Sequence, residues 1–547
     1  MKFGDFVIPE PTNEKTLDYA PGSCERKALK KELERLRNQE ITIPLIINGE
    51  EIETSEQVEI HPPHDHKKVI GKAYLAQEED VKRAIEATCS AKSKWMEYPW
   101  EARVSIFMKA ADLISGPMRM TLNAAAILDQ GKNVFQAEID SACELIDFLR
   151  FNCHYQHMIY QQQPESPPGV WNRMEYRPLD GFIFAVTPFN FASIAGNLPS
   201  APAMMGNVVL WKPASSAIYM AYHIMKVFQK AGVPAGVINF IPGHGSVIGK
   251  IVLPHPDLGG IHFTGSTNTF RYMWKTVGEN IDQYKQYPRL VGETGGKDFV
   301  FIHNSANIDV VAAASTRGAF EYQGQKCSAA SRVYVPKSFW FDLKERILAD
   351  VKEIKVGPPE DFTNFVNAVI DQDAFDKIVD YIELAKESSD AEILYGGGYD
   401  DSDGYFIDPT IVVTTNPYFT TMTEEIFGPV LSIYIYDDEL YEETLKICNK
   451  STPYGLTGSI FAEDREAIIL ASKILRHAAG NFYINDKPTG AIVNQQPFGG
   501  SRASGTNDKA GSFLNLIRWV SARTIKETFN PPTEYEYPFL QEDEDND

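Results

Sequence analysis

Residues 181–211 read GFIFAVTPFNFASIAGNLPSAPAMMGNVVLW, with no charged side chain. A membrane-spanning helix needs about 20 consecutive apolar residues. Here Pro188, Asn190, Asn197, Pro199, Pro202 and Asn207 interrupt the run. In lipid the polar groups they free or carry would lack partners. The stretch reads instead as buried strand, helix and strand. Phe182–Thr187 is the first strand and Asn207–Lys212 the second. Val237–Ile241, Gly260–Thr264 and Asp298–Ile302 are further short apolar runs of the same kind. Helical stretches separate them, such as 216–231, closed by Gly232 and Pro234. Buried strands alternating with helices indicate an α/β fold with a doubly wound, mostly parallel sheet.

The alternation resumes after 308, with strands expected near 331–335, 405–412 and 430–434. The chain therefore reads as two α/β domains dividing near 290. Upstream, 25–40 is highly charged and reads as a solvated helix. Residues 77–175 read as mostly helical, with segments near 78–94, 100–115 and 136–162. A break from Pro164 to Pro168 ends that region. The acidic run Glu542–Asp547 reads as a frayed end.

A chain of 547 residues accommodates two or three domains and a large core. The formal net charge of −22 leaves no basic footprint for DNA, RNA or an anionic membrane. Cys24, Cys89, Cys143, Cys153, Cys327 and Cys448 show no C-x-x-C spacing, which fits a reduced compartment. The start of the chain has no apolar signal core, and Asp5, Glu10 and Glu14 are unlike a transit peptide. A cytoplasmic protein is the simplest reading, with a matrix form lacking its presequence as the alternative.

Three short segments carry candidate chemistry. In Gly324-Gln325-Lys326-Cys327-Ser328-Ala329, small residues flank a cysteine beside a lysine. A nearby cation or helix N-terminus favours the nucleophilic thiolate. The bland alternative is a buried structural cysteine. In Val291-Gly292-Glu293-Thr294-Gly295-Gly296-Lys297, a carboxylate among glycines is placed to act as a general base, or is an exposed acid in a turn. In Thr187-Pro188-Phe189-Asn190-Phe191, an uncharged amide can donate to a developing oxyanion, or can satisfy turn backbone.

Two further segments suggest a dinucleotide. Pro242–Gly249 misses G-x-G-x-x-G by one residue. Phe263-Thr264-Gly265-Ser266-Thr267 follows a strand and precedes a helix, whose free N–H groups suit a phosphate. His61, His64 and His66 crowd one loop but are separated by prolines, so no metal is expected.

In this order, the segments resemble the aldehyde dehydrogenase superfamily over essentially the whole chain. Cys327 follows Glu293 by 34 residues, as that family's nucleophile follows its base. Further matching strings are Trp211-Lys212-Pro213, Glu424–Pro429, Tyr454–Thr457 and Pro497–Gly500. Leu149–Asn152, Gly480–Gly500 and Ala503–Asp508 are similar to the L-glutamate γ-semialdehyde (1-pyrroline-5-carboxylate) dehydrogenase family.

That resemblance implies two Rossmann-like α/β domains and a small β oligomerisation flap. It places an NAD-binding domain at 1–155 and 180–292, a catalytic domain at 293–519, and flap and tail at 156–179 and 520–547. It implies attack by Cys327, oxyanion donation by Asn190 and the Cys327 N–H, hydride transfer to NAD, and thioester hydrolysis by a water that Glu293 activates. It assigns Thr187, Lys212, Ser215, Gly265, Ser266 and Glu425 to the cofactor. It assigns Ser328, Gly490 and Ala491 to a substrate carboxylate, Glu144 to its ammonium, and Phe191 and Phe498 to its aliphatic chain. It also implies a homodimer or higher oligomer and, as possible partner, a separate proline dehydrogenase.

This sequence departs from the family in three places. Ala491 stands where some members have serine, so one carboxylate hydrogen bond must come from backbone. The turn from Gly265 to Phe270 lacks a later glycine common in the wider family. Ser215 stands where strict NAD users often carry glutamate, which leaves room for NADP. A dehydrogenase of another acidic semialdehyde, such as succinic semialdehyde, is the competing reading.

Overall fold

The computed structural model describes residues 4 and 6–542. The acidic run at 543–547 lies outside the described residues. Two seven-stranded sheets organise the chain. The first runs in the order Arg289–Glu293, Leu258–Thr264, Phe182–Val186, Val209–Lys212, Ile238–Phe240, Leu45–Ile47, Glu50–Ile52. Its first five strands are parallel, and the last two add antiparallel pairs. Every residue of Leu258–Thr264 is buried, as expected of a parallel strand covered by helices on both faces.

The strand order decides where a ligand can sit. From Phe182–Val186 the chain winds outward through Val209–Lys212 and Ile238–Phe240, then returns to lay Leu258–Thr264 on the other side. The two diverging loops open a crevice at the carboxyl ends of Phe182–Val186 and Leu258–Thr264, the switch point where open α/β sheets bind ligands.

The second sheet runs Ala391–Tyr395, Thr410–Thr414, Val430–Tyr436, Ala330–Pro336, Asp298–Ile302, Thr457–Phe461, Asn481–Ile484, with only the first strand antiparallel. The strand expected at 405–412 is two pieces. Phe406–Ile407 pairs with Tyr399–Asp400, and Thr410–Thr414 joins the main sheet. Pro409 stands between them and has no N–H for a ladder.

The helical reading of 77–175 holds through Tyr160 and fails at Val170–Pro178. That segment pairs over nine residues with Val520–Thr528 as an antiparallel ribbon. Its partner lies at the far end of the sequence, where no local pattern announces it. The chain end also returns to the first core, where Val493, Leu516, Trp519 and Val520 pack.

The segment read as one helix over 136–162 is three: α-helix Val134–Ala137, π-helix Glu138–Glu144, then α-helix Leu145–Tyr160. π-Segments recur at functional sites because they re-aim side chains. Here the π-turns hold Asp140, which is 1% exposed. Its Oδ1 accepts from the Ser193 N–H at 2.9 Å and Oγ at 2.6 Å, and its Oδ2 accepts from the Ala192 N–H at 2.8 Å. Lys132 completes the set with a buried ion pair. Asp140 thus caps the helix Ala192–Met204, which begins two residues after Asn190.

Asp140→Ala should strand the Lys132 ammonium and two helix N–H groups. Breaking a buried pair on one side costs about 3–5 kcal/mol. Denaturant unfolding at neutral pH should show that loss, with a smaller one for Asp140→Asn. A midpoint equal to wild type would remove Asp140 from the site's supports.

Candidate active site

Helix Ile308–Phe320 ends in a turn, Glu321–Gly324, that no ordinary helix stop would produce. Tyr322, Gln323 and Gly324 all have positive φ, at 52°, 56° and 67°. For the two non-glycine residues this costs on the order of 1–3 kcal/mol each and persists only where surroundings enforce it. The Gln323 amide supplies part of that enforcement, donating to Gly131 O at 2.9 Å and Ala368 O at 2.8 Å. Gly324 is required as glycine, because a Cβ there would lie 2.2 Å from Gly428 O. The turn leads into the segment that carries Cys327, just ahead of strand Ala330–Pro336.

Glu293 arrives from the other sheet, as the last residue of its edge strand. The Cys327 thiol donates to Glu293 Oε1 at 3.5 Å. Burial pushes the Glu293 carboxyl up to about 7, against smaller opposing effects of the thiol and of Lys509. The Cys327 thiol is pushed well above its ordinary value by burial, with Glu293, Asp298 and Glu425 adding to the effect.

The expectation that Lys326 would favour the thiolate is overturned. Its ammonium turns away to Glu321 at 3.0 Å, where Lys487 also pairs at 2.9 Å. Cys327 therefore rests as a protonated thiol, with the Glu293 carboxyl within its reach.

Asn190 is buried at the end of the Phe182–Val186 strand, and its Nδ2 donates to Gln325 O at 3.1 Å. That bond ties the amide to the cysteine turn. Among the described residues the Cys327 N–H has no hydrogen-bond partner within the chain. Asn190 and Cys327 line one cavity of about 1020 Å³, which also takes in Thr187, Lys212, Ser215, Gly265, Ser266 and Glu425.

This donor set fits a dinucleotide. The cavity lies in the switch-point crevice and reaches the N-termini of helices Gly245–Val252 and Thr267–Glu279. Ser266 caps the second of these, accepting from the Thr269 N–H at 3.2 Å. Two N-termini facing one space suit a pyrophosphate. The Lys212 ammonium makes no hydrogen bond or ion pair among the described residues, and burial lowers its pKa to about 8. Glu425 accepts from the Gly296 N–H at 2.8 Å. A Cβ on Gly295 would lie 2.2 Å from the Glu425 carboxylate, so that glycine admits the acid. Ser215 is exposed at the cavity's edge.

Glu144, Glu293 and Phe498 line a second, small cavity of about 50 Å³, together with Asp508 and Lys509. Glu144 accepts from Ser193 Oγ at 2.8 Å, and burial, with Asp140 adding, pushes it up to about 8. Ser328 Oγ donates to Thr489 Oγ1 at 2.9 Å, which brings Ser328 beside the turn carrying Gly490 and Ala491. Gly490 has φ +94°, and a Cβ there would lie 3.6 Å from Lys487 Nζ. The Phe191 ring lies 4.9 Å from Lys132 Nζ. Neither cavity is lined by Phe191, Ser328, Gly490 or Ala491.

The loop histidines go elsewhere. His64 Nε2 lies 3.0 Å from Glu360, and the His66 ring packs on Tyr405 at 4.1 Å. Sequence reasoning missed Asp140, Gln323, Lys509 and Thr489. Only Gly324, beside the strained pair, left a trace in the local sequence.

The model of the aldehyde dehydrogenase family matches residues 51–524. The chain belongs to the aldehyde dehydrogenase family. Within it, the chain is 52% identical over 536 residues to the mitochondrial delta-1-pyrroline-5-carboxylate dehydrogenase of Dictyostelium discoideum, covering 97% of this chain and 96% of that one. It is 48% identical over 532 residues to the mitochondrial Homo sapiens protein of the same name, covering 97% and 94%. Its structure is similar to the Mycobacterium tuberculosis delta-pyrroline-5-carboxylate dehydrogenase bound with NAD, with TM-score 0.96, 50% identity, and 99% and 100% of the two chains covered.

For this aldehyde dehydrogenase the Glu293 value sets a pH dependence. Below about 7 the carboxyl is protonated and cannot take the thiol's proton; above it the carboxylate can. Aldehyde kcat/KM, followed by nucleotide absorbance, should therefore rise as pH passes through about 7. Glu293→Gln should abolish that limb along with most of the activity. An unchanged limb in the variant would assign it to another group.

Proposed function

We propose that the chain oxidises L-glutamate γ-semialdehyde to L-glutamate, with NAD as acceptor. The observation that carries the chemistry is the thiol–carboxylate contact of Cys327 and Glu293, with Cys327 and Asn190 lining one cavity. Glu293 accepts the thiol proton as Cys327 Sγ attacks the aldehyde carbon. The Asn190 amide and the Cys327 N–H hold the resulting oxyanion, which in a water-poor site favours the transition state strongly. Bound NAD supplies the hydride acceptor that lets the thiohemiacetal on Cys327 become a thioester. Lys212 and Glu425 hold its two riboses, and Thr187, Gly265 and Ser266 line the pyrophosphate and nicotinamide path. Glu293 releases its proton to solvent, then takes one from the water that hydrolyses the thioester.

At the substrate's far end, Ser328 and the backbone of Gly490 and Ala491 receive the α-carboxylate. Lys487 beside Gly490 adds positive charge there. Glu144 faces the α-ammonium, and a carboxyl already raised to about 8 is stabilised as the anion when that cation enters. Phe191 and Phe498 flank the aliphatic chain. Ser215, lacking a carboxylate, leaves NADP as a poorer second cofactor.

On this reading 1–155 and 180–292 form the NAD-binding domain and 293–519 the catalytic domain. The ribbon and tail, 156–179 and 520–547, are an oligomerisation flap for a homodimer or larger assembly. A separate proline dehydrogenase supplies the substrate. The mitochondrial Dictyostelium and human relatives favour the matrix over the cytoplasm; among the described residues no helix is long and apolar enough to cross a membrane.

A substrate panel tests the specific claim. Leaving a buried charged group unpaired costs roughly 2–4 kcal/mol. Glutamate γ-semialdehyde should accordingly exceed succinic semialdehyde in kcat/KM, and Glu144→Gln should narrow the gap. Equal efficiencies would refute the substrate and leave the dehydrogenase chemistry standing.

A further inference from the structure

The loop after Gly490 is tied down by a residue nearly five hundred positions earlier. Asn13 lies in an extended N-terminal arm, and all of its amide is used. Its Nδ2 donates to Val493 O at 3.0 Å and to Asp147 Oδ2 at 2.8 Å, while its Oδ1 accepts from Gln495 Nε2 at 3.0 Å. Asp147 stands one helical turn beyond Glu144 and also accepts from the Glu14 N–H at 2.7 Å. One side chain therefore bridges the loop proposed to grip the carboxylate and the helix proposed to face the ammonium.

The arm itself is anchored firmly enough to act as a strap. The Glu14 carboxylate pairs with Arg119 and Arg150, both at 2.7 Å. The Leu17 N–H and Tyr19 hydroxyl both donate to buried Glu138 at 2.8 Å. Nearby, the Val493 side chain packs into the first core, and the Tyr155 hydroxyl donates to Asn494 Oδ1 at 2.7 Å. Gly490 is exposed and has no side chain to pack, so its own contacts do little to fix the loop.

We propose that Asn13 is a positioning residue for substrate selection: it sets the distance between the carboxylate-binding loop and the Glu144 helix. The inference rests on the substrate-end assignment given above. Asn13 touches none of Cys327, Glu293, Asn190 or the cofactor residues. Its loss should leave the chemistry intact and weaken only a substrate that spans both grips.

The experiment compares Asn13→Ala, and independently Gln495→Ala, with wild type on glutamate γ-semialdehyde and on propanal. Removing three hydrogen bonds, one of them to the Asp147 carboxyl group, predicts a kcat/KM for the semialdehyde about 5- to 30-fold lower in Asn13→Ala, carried by KM. Gln495→Ala, losing one bond, should fall by less. Propanal kcat/KM should stay within about twofold, since Asn13 contacts none of the groups proposed for the chemistry. Hydrogen exchange should speed up in peptides covering 490–496 and not in those around Cys327. Equal losses on both aldehydes, no loss on either, or unchanged exchange in the loop would overturn the proposal. The wild-type preference for the semialdehyde over propanal tests the substrate assignment itself, so its failure is separable from that of the strap.

Discussion

One proton, shared between Cys327 and Glu293, is the constraint around which the site is arranged. Burial disfavours both the thiolate and the carboxylate, and the Glu293 charge disfavours the thiolate further. The pair therefore holds a proton at rest, and either group loses charge when the other gains it. A nearby ammonium would remove this coupling by favouring the thiolate permanently. The lysine adjacent to the thiol, Lys326, is turned to Glu321 instead. On the proposed mechanism Cys327 becomes reactive as its proton moves to a carboxylate poised near neutrality. That same carboxylate is then available for the second proton transfer that hydrolysis needs.

Placing these two groups 3.5 Å apart requires two sheets to meet. Glu293 ends the edge strand of one, and Cys327 sits on the turn that enters a central strand of the other. Neither sheet supplies the site alone. The isolated bridge between Glu293 and Gly505, and the Thr294 N–H donating to Ser504 O at 3.0 Å, bind the edge strand to the chain's last third. The left-handed turn at Tyr322–Gly324 supplies the remaining direction. Its strain is offset by the amide of Gln323, which ties it to two carbonyls of separate segments. Strain, bridge and cap all act on the backbone, leaving the reactive side chains free of other partners.

Much of this was legible in the sequence because it follows from local rules. The uncharged run at 181–211 dictated a buried strand–helix–strand, and the glycines around Glu293 dictated close backbone approach. Trp100–Ser115 and Asp298–Ile302 lie where the periodicity puts them. What stayed hidden depends on partners remote in sequence. Val170–Pro178 becomes a strand only because Val520–Thr528 lies beside it. Asp140 is one acid among several on a helix until the π-turns aim it at Ala192 and Ser193. The lysine beside Cys327 suggested an activating cation, and only the fold shows it facing the other way.

The same division, local chemistry and remote support, separates rate from selectivity. Cys327, Glu293 and Asn190 sit at strand ends and a rigid turn, where packing fixes them to the precision a near-attack geometry needs. Two of the groups proposed for the substrate's carboxylate sit on a different kind of backbone. Gly490 and Ala491 belong to a loop with one positive-φ glycine and partly exposed neighbours. A loop can change its sequence, as at Ala491, without disturbing the nucleophile. It cannot hold a charged substrate at a fixed span unless something outside it supplies the rigidity. In this chain the N-terminal arm, pinned to Glu138 and Arg119, provides that rigidity on the proposed reading, through the contact of Asn13 with Val493. The Cys327–Glu293 geometry is thus secured where the two sheets meet, while on the proposed reading selectivity depends on a contact between residues 480 positions apart.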